Sequence, residues 1–311
     1  MKDFVELPLV AGIRAMIRKS AVVSLTESIE DKRHTILTTE DCGPDEFFSV
    51  AIPYDKVKEL LFGTESDDSV EQQRCYESVK SLESCTWAEI AEISKNGWYD
   101  ERTGEWCTGD VNVPVYMFKV GDEKTITLTD GTSVTVQIYG FQHDETDPGK
   151  KVGITFGLKN AICISRMNRD ATNKESWRDS VIRTDTLEKY YDLLPQEVKD
   201  VILPVRKKTI EGNYSSDVIE TFDDLFLFAY AEVFDTEWDV YQQEGEKYPI
   251  FTDETSRMKR LGDDANSSAC WWWLRSPRYG NGDDFRTVGS GGWDHNHGAN
   301  HGGGVVFGFC V

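Results

Sequence analysis

Between Thr125 and Ile138 apolar and polar positions alternate in steps of two. Ile126 and Leu128 interleave with Thr125, Thr127 and Thr129, and Val134, Val136 and Ile138 lead out of an Asp130-Gly131 turn. Alternation puts every second side chain on one face of a strand, so the segment predicts a β-hairpin with Asp-Gly at its tip. A third strand is predicted over 152–158, beyond the turn-rich 144–150. Upstream, Thr86-x-x-Glu89 predicts a capping box, in which the threonine hydroxyl accepts from the third helical amide and the glutamate reaches back. Its helix should run from Trp87 to Lys95 and stop at Gly97. Residues 98–114 show neither period and read as an irregular insertion.

Spacings of three and four return over 177–194, where Trp177, Val181, Leu187, Tyr190, Tyr191, Leu193 and Leu194 predict one helical face. A second helix is predicted over 195–203, with Pro195 as its first residue. Residues 223–234 are apolar and aromatic and read as a buried segment of either type, and 256–261 as a short helix. Near the N-terminus, 9–23 is helix-compatible, 47–52 reads as a strand, and 53–61 as a helix opened by its proline. A last helical pattern reaches Leu82 after an acidic break at 63–68. This order predicts an α+β domain over 84–311, preceded by a smaller α/β segment over 1–83 that carries no motif and reads as an accessory or attachment module.

A chain of 311 residues with 39% hydrophobic side chains can bury a sizeable core. Its formal net charge of -21 repels phosphate backbones and anionic headgroups, which argues against nucleic acid and membrane surfaces as partners. Seven cysteines are scattered without a Cys-x-x-Cys pair, which argues against a zinc ribbon or a thioredoxin-like site. The opening Met-Lys-Asp-Phe-Val-Glu-Leu-Pro places acids where a signal peptide needs apolar residues, and no window approaches the length of a membrane span. The expectation is a protein made in the cytoplasm and not inserted in a membrane. Lysis or another export route would leave it associated with a virion or a surface without marking the sequence.

The C-terminal stretch changes the picture most. Trp271, Trp272, Trp273 and Leu274 open it, and Val305 to Val311 close it, with a polar, glycine-rich run over 278–304 between. Lys, Glu, Gln and Met make up 57 of the 277 residues before Arg278 and none of the next 27, where about five or six would be expected from composition. Except for Trp293, every residue in the run can be reached from an asparagine codon, AAC or AAT, by changing its two adenines. Lys, Glu, Gln and Met cannot. The run therefore reads as a target of adenine-directed diversification, with Trp293 as a fixed post.

Trp271-Trp272-Trp273-Leu274-Arg275-Ser276-Pro277 and Gly304 to Val311, with Thr86-Trp87-Ala88-Glu89-Ile90, Phe118 to Asp122 and Gly153 to Asn160, resemble the variable proteins of diversity-generating retroelements. More narrowly, they are similar to the bacterial and phage set that carries a Trp-Leu-Arg-Ser-Pro strand. The resemblance covers 86–311 and leaves 1–83 outside. It implies a C-type-lectin-like fold, related to that of formylglycine-generating enzymes, and ligand binding through the diversified surface. Such a surface cannot also carry stability, so the core must lie in its flanks. Asn, Asp, Tyr, Ser, His and Gly are also the residues that adaptable binding loops use. The expected contact residues are Arg278, Tyr279, Asn281, Asp283, Asp284, Thr287, Asp294, His295, Asn296, His297, Asn300 and His301. The expected scaffold is Trp271, Trp272, Trp273, Leu274, Phe285, Val288, Trp293, Ala299 and Phe307.

The same residues also offer sharper chemistry. Asp294, His295, His297 and His301 offer donors for zinc, but under diversification these histidines are accidents of the present sequence. Asp283, Asp284 and Asp294 suggest calcium, yet the Glu-Pro-Asn and Trp-Asn-Asp signatures of sugar-binding lectins are absent. No cofactor or metal is expected. Cys270 and Cys310 flank the run as free thiols or as a disulfide. A catalytic cysteine would need a fixed base, and three of the five histidines lie in the replaceable run. Arg275 reads as a structural strand residue. Two functions follow: a binding protein displayed by a phage or bacterial cell toward a protein or glycan ligand, with an attachment partner at 1–83, or a cytoplasmic sensor module of a bacterial conflict system using the same face. An enzyme related to the formylglycine-generating group is a third.

Overall fold

The computed structural model describes residues 4–8, 14–18, 22–27, 35–39, 48–50, 57–58, 61, 81–101, 103–110, 113–264 and 266–311. Two compact units divide the chain, Met1–Ser78 and Val79–Val311. In the first, Phe4–Pro8 pairs antiparallel with Arg14–Arg18, and Val22–Glu27, Thr35–Thr39 and Phe48–Val50 form a three-stranded sheet. Leu7, Ile17, Leu25, Leu37, Val50, Val57 and Leu61 make its core. The helix expected over 9–23 is corrected here: Arg14–Arg18 is a strand and Val22 opens the next. Short apolar runs fit either period, and β-branched Ile17 and Val22 favour the pleated surface. The helix expected over 53–61 is described only at Val57, Lys58 and Leu61, which are helical. Most of the pattern leading to Leu82 lies outside the described residues; Leu82–Ser84 is a 3₁₀ turn.

The second unit is a strand-rich α+β assembly. Helix Trp87–Asn96 begins at the capping box the sequence predicts: Thr86 N–H donates to Glu89 at 2.8 Å and Glu89 N–H to the Thr86 hydroxyl at 3.2 Å. Its buried Trp87 meets Phe156 edge-on at 5.4 Å and Phe309 at 5.9 Å, and Ser94 donates to the carbonyl of Val311. The hairpin Glu123–Thr127 with Ser133–Phe141 also matches its alternation, with Gly131 at φ +88 in the turn. Residues 98–114 are not irregular. Trp98–Asp100, Glu105–Asp110 and Val113–Lys119 make a three-stranded sheet closed by Trp106, 1% exposed, whose indole donates to Ile93 O.

Two five-stranded sheets carry the rest. The core sheet runs Phe226–Leu227, Phe307–Cys310, Ile154–Leu158, Ser133–Phe141, Glu123–Thr127, antiparallel throughout. The second runs Cys163–Arg166, Gly302–Val305, Trp272–Pro277, Asp284–Val288, Asp294–Gly298. The chain passes from the second sheet to the first at Val306, between Gly302–Val305 and Phe307–Cys310. The helix expected over 177–194 starts late, as a π-helix Ile182–Leu187 continued by Glu188–Leu193. Pro195 caps Gln196–Lys199 from outside instead of opening it. Residues 223–234 give a short strand, Phe226–Leu227, and a helical turn, Tyr230–Val233. The short helix near 256–261 is Glu254–Arg257, followed by strand Lys259–Arg260. Among the described residues no helix is long and apolar enough to cross a membrane.

Candidate functional site

The foundation of the C-terminal stretch is strand Trp272–Pro277, buried at every position. Its tryptophans are fixed by shape and by their polar edges: Trp272 donates to Arg257 O and Trp273 to Ser165 O, both at 2.9 Å. Arg275 is fully buried and grips Glu232 with both ends of its guanidinium, Nη1 to Oε2 at 2.6 Å and Nη2 to Oε1 at 2.8 Å. Its other donors reach the carbonyls of Leu227, Lys208 and Glu244. Lys207 joins Glu232 to Asp144, which also accepts from Thr155 and Tyr248. Burial opposes ionisation of Glu232, but Arg275 and Lys207 outweigh it and hold its pKa down to about 2. Glu244 lacks such a partner; burial pushes it up to about 7 while the Ser276 hydroxyl and the Ile210 amide donate to it.

Above this foundation the run 278–304 folds as a loop, two strands, Asp284–Val288 and Asp294–Gly298, and most of a third, Gly302–Val305. Asn281 Oδ1 accepts from the amides of Asp283 and Asp284, at 2.6 and 2.7 Å, and fixes the loop as an Asx turn. Buried Asn173 ties it down by donating to Asn281 O and Asp284 O. Asp284 accepts from Arg278 and Asn296, each at 2.9 Å. On the edge strand Asp294–Gly298 the rings of His295 and His297 lie 4.9 Å apart, and His297 stacks on Trp271 at 4.0 Å with His301 at 6.0 Å. Burial, then the neighbouring His295 and His301, lower the pKa of His297.

Of the expected contact residues, Arg278, Tyr279, Asp283, Asp294, His295 and His301 are exposed, and Asn281, Asp284, Asn296, His297 and Asn300 are half-buried. Thr287 is corrected: it is fully buried opposite Trp273, so its side chain cannot meet a ligand from outside. Among the expected scaffold residues, Trp272, Trp273, Leu274, Phe285, Val288, Ala299 and Phe307 are buried and Trp271 partly so. Trp293 departs from a buried scaffold. It is 51% exposed, and its ring lies over Gly289 and Gly291, where a Cβ on Gly291 would meet it at 1.7 Å. It holds a glycine loop from above.

Arg286 was missed by sequence reasoning. Only 9% exposed, its guanidinium sits 4.2 Å from the Tyr230 ring, pairs with Asp294 at 2.6 Å and leaves Nε buried without a partner. Arginine in a run of replaceable polar residues looks like one more contact side chain; only the fold brings Tyr230 beneath it. Cys270 and Cys310 are both free: Cys270 sits opposite Lys259, and Cys310 opposite Thr155 in the other sheet. Among the described residues no group of three or more His, Cys, Asp or Glu could hold a metal ion.

Buried framework strands carrying a polar edge strand and loop define the class, a strand-rich α+β domain with a polar run at one sheet edge. The chain belongs to the family described as Domain of unknown function (DUF6273), whose profile matches residues 154–311, just over half of its length. No curated protein and no solved structure matches it.

Proposed function

We infer that this is a ligand-binding protein whose contact surface lies in 278–301, a variable protein of the diversity-generating-retroelement type with a C-type-lectin-like domain. It binds a protein or glycan by complementarity, without a chemical step, and is displayed by a phage or bacterial cell. The observation that carries the reading is the division of burial. Strands Trp272–Pro277 and Phe307–Cys310 are wholly buried, while eleven of the twelve candidate contact positions between them reach solvent, six of them as exposed side chains. Such a surface can change side chains without changing the core that holds it.

The test is the DNA of the source genome. A near-copy of the codons for 278–311, differing only at adenines and lying beside a reverse transcriptase gene, is expected downstream. If the genome holds no such copy, the diversification reading fails.

A further inference from the structure

A groove of about 280 Å³ lies away from the polar run, between the helical segment that ends in Glu188–Leu193 and the end of strand Ser215–Asp223. One wall is the Phe222 ring, 58% exposed although it is a large apolar group. The facing wall is Tyr191, whose phenol pKa is raised by burial first and then by Asp224, Asp192 and Asp200. Arg183 reaches into the groove but is already committed: it donates to Asp223 at 2.6 Å and to the carbonyls of Arg178 and Phe222. Three further carboxylates of the lining, Glu188, Asp192 and Asp224, have no ion-pair partner among the described residues.

We propose that this groove is a binding site for an organic cation, an alkylammonium or alkylguanidinium group held between Phe222 and Tyr191 and neutralised by Asp224, Asp192 and Glu188. Three observations support it. First, two of the lining side chains, Phe222 and Tyr191, are aromatic, and aromatic faces attract cations. Tyr191 already carries one, since Lys199 Nζ lies 5.6 Å from its ring centroid. Second, the charged form of Asp224 is disfavoured by burial and by Asp223 beside it, and a cation in the groove would counter the repulsion from Asp223. Third, no three acidic groups converge closely enough for a metal ion among the described residues. Carboxylates set beside a few apolar side chains, Phe222, Tyr191 and Leu187 among them, in a lining that is otherwise charged suit a charge on a carbon stem better than a bare ion. The volume lies just below the range of pockets for drug-sized ligands, which fits one side chain or a small amine.

Ring resonances of the full-length protein, followed by NMR, test this with agmatine, with an acetylated and amidated Gly-Arg-Gly peptide, and with butylurea as an uncharged control. Saturable shifts at Phe222 and Tyr191 are expected with a cation and not with butylurea. Binding of the peptide alone would assign the cation to a polypeptide partner, binding of agmatine alone to a free amine, and binding of both to the shared group. Asp224→Asn should weaken binding about tenfold or more, as expected for loss of a charge-assisted contact. Phe222→Ser should weaken it as well. Asp217→Asn, an exposed change on the same strand outside the groove, should not. Failure of both cations to saturate, equal binding of butylurea, or indifference to Asp224→Asn overturns the proposal.

Discussion

The arginines of two arginine–carboxylate pairs lie on adjacent strands of one sheet. Arg275 meets Glu232, and Arg286 meets Asp294, and in each the shortest contact is 2.6 Å. Their surroundings differ. The side chains of Arg275 and Glu232 are 0% and 3% exposed, whereas Asp294 is 50% exposed beside a nearly buried Arg286. Bond length therefore does not separate buried framework from the solvent-facing run. The difference lies in what remains when one partner is lost: a fully buried charge in the first pair, and in the second a nearly buried arginine still stacked on Tyr230, which solvent can reach where the half-exposed Asp294 stood.

The largest expected effect breaks the buried pair. Glu232→Ala should cost about 3–5 kcal/mol in denaturant unfolding, because Arg275 and Lys207 stay buried with one acid fewer. A loss of no more than about 1–2 kcal/mol would put the two pairs in one class. Trp272→Ala should cost a similar 3–5 kcal/mol by emptying a fully buried site.

Lys259 sharpens the contrast as a buried cation without a carboxylate partner. Its amine donates to the Tyr139 hydroxyl at 2.7 Å, and burial, aided by Lys159, holds its pKa down to about 7 from 10.5. The folded state thus resists a proton that the unfolded chain takes up, so this residue makes stability rise as pH increases from about 7 to 10.5. Lys259→Met should be more stable than wild type by a few kcal/mol at pH 7, with the gap closing toward pH 10.5. A gap independent of pH would show that the lysine is not held neutral.

At the smaller end, Asp294→Ala should cost about 1–2 kcal/mol, less than Glu232→Ala, because only the arginine of this pair is buried. Replacing His295, His297 and His301 together by Asn should change thermal stability by no more than about 0.5 kcal/mol. A large loss from the triple change would mean that the stack on Trp271 is framework.

The parts of this arrangement legible in the sequence are those where pattern and burial agree. The Thr86–Glu89 box, the Thr125–Ile138 hairpin and the apolar brackets of the polar run each state their structure locally. The hairpin Val205–Gly212 with Ser215–Asp223 went unread because its inward positions include Lys207 and Thr209, 2% and 1% exposed, so alternation in burial is invisible as alternation in hydropathy. The charge network was hidden for a related reason. Asp144 and Lys207 look like ordinary surface residues, and although Arg275 reads as a structural strand residue and Glu232 falls in a segment read as buried, only the fold brings the four together out of water. Thr287 and Arg286 show the same limit within the candidate site: composition marked the run as replaceable, but strand register decides which side chains in it turn inward.

Strand Phe307–Cys310 lies second in the core sheet, between Phe226–Leu227 and Ile154–Leu158, and so pairs with chain emerging about 150 residues earlier. Contacts of such sequence separation form late and govern folding speed. The polar run is then a tether between two strands, Trp272–Pro277 and Phe307–Cys310, and the entropy of closing a tether depends on its length and scarcely on its side chains. Exchanging side chains at exposed positions of the run should leave the refolding rate almost untouched, whereas adding or removing residues there changes how readily the last strand finds its place. Substitution without insertion is the kind of variation this topology absorbs at no cost in time.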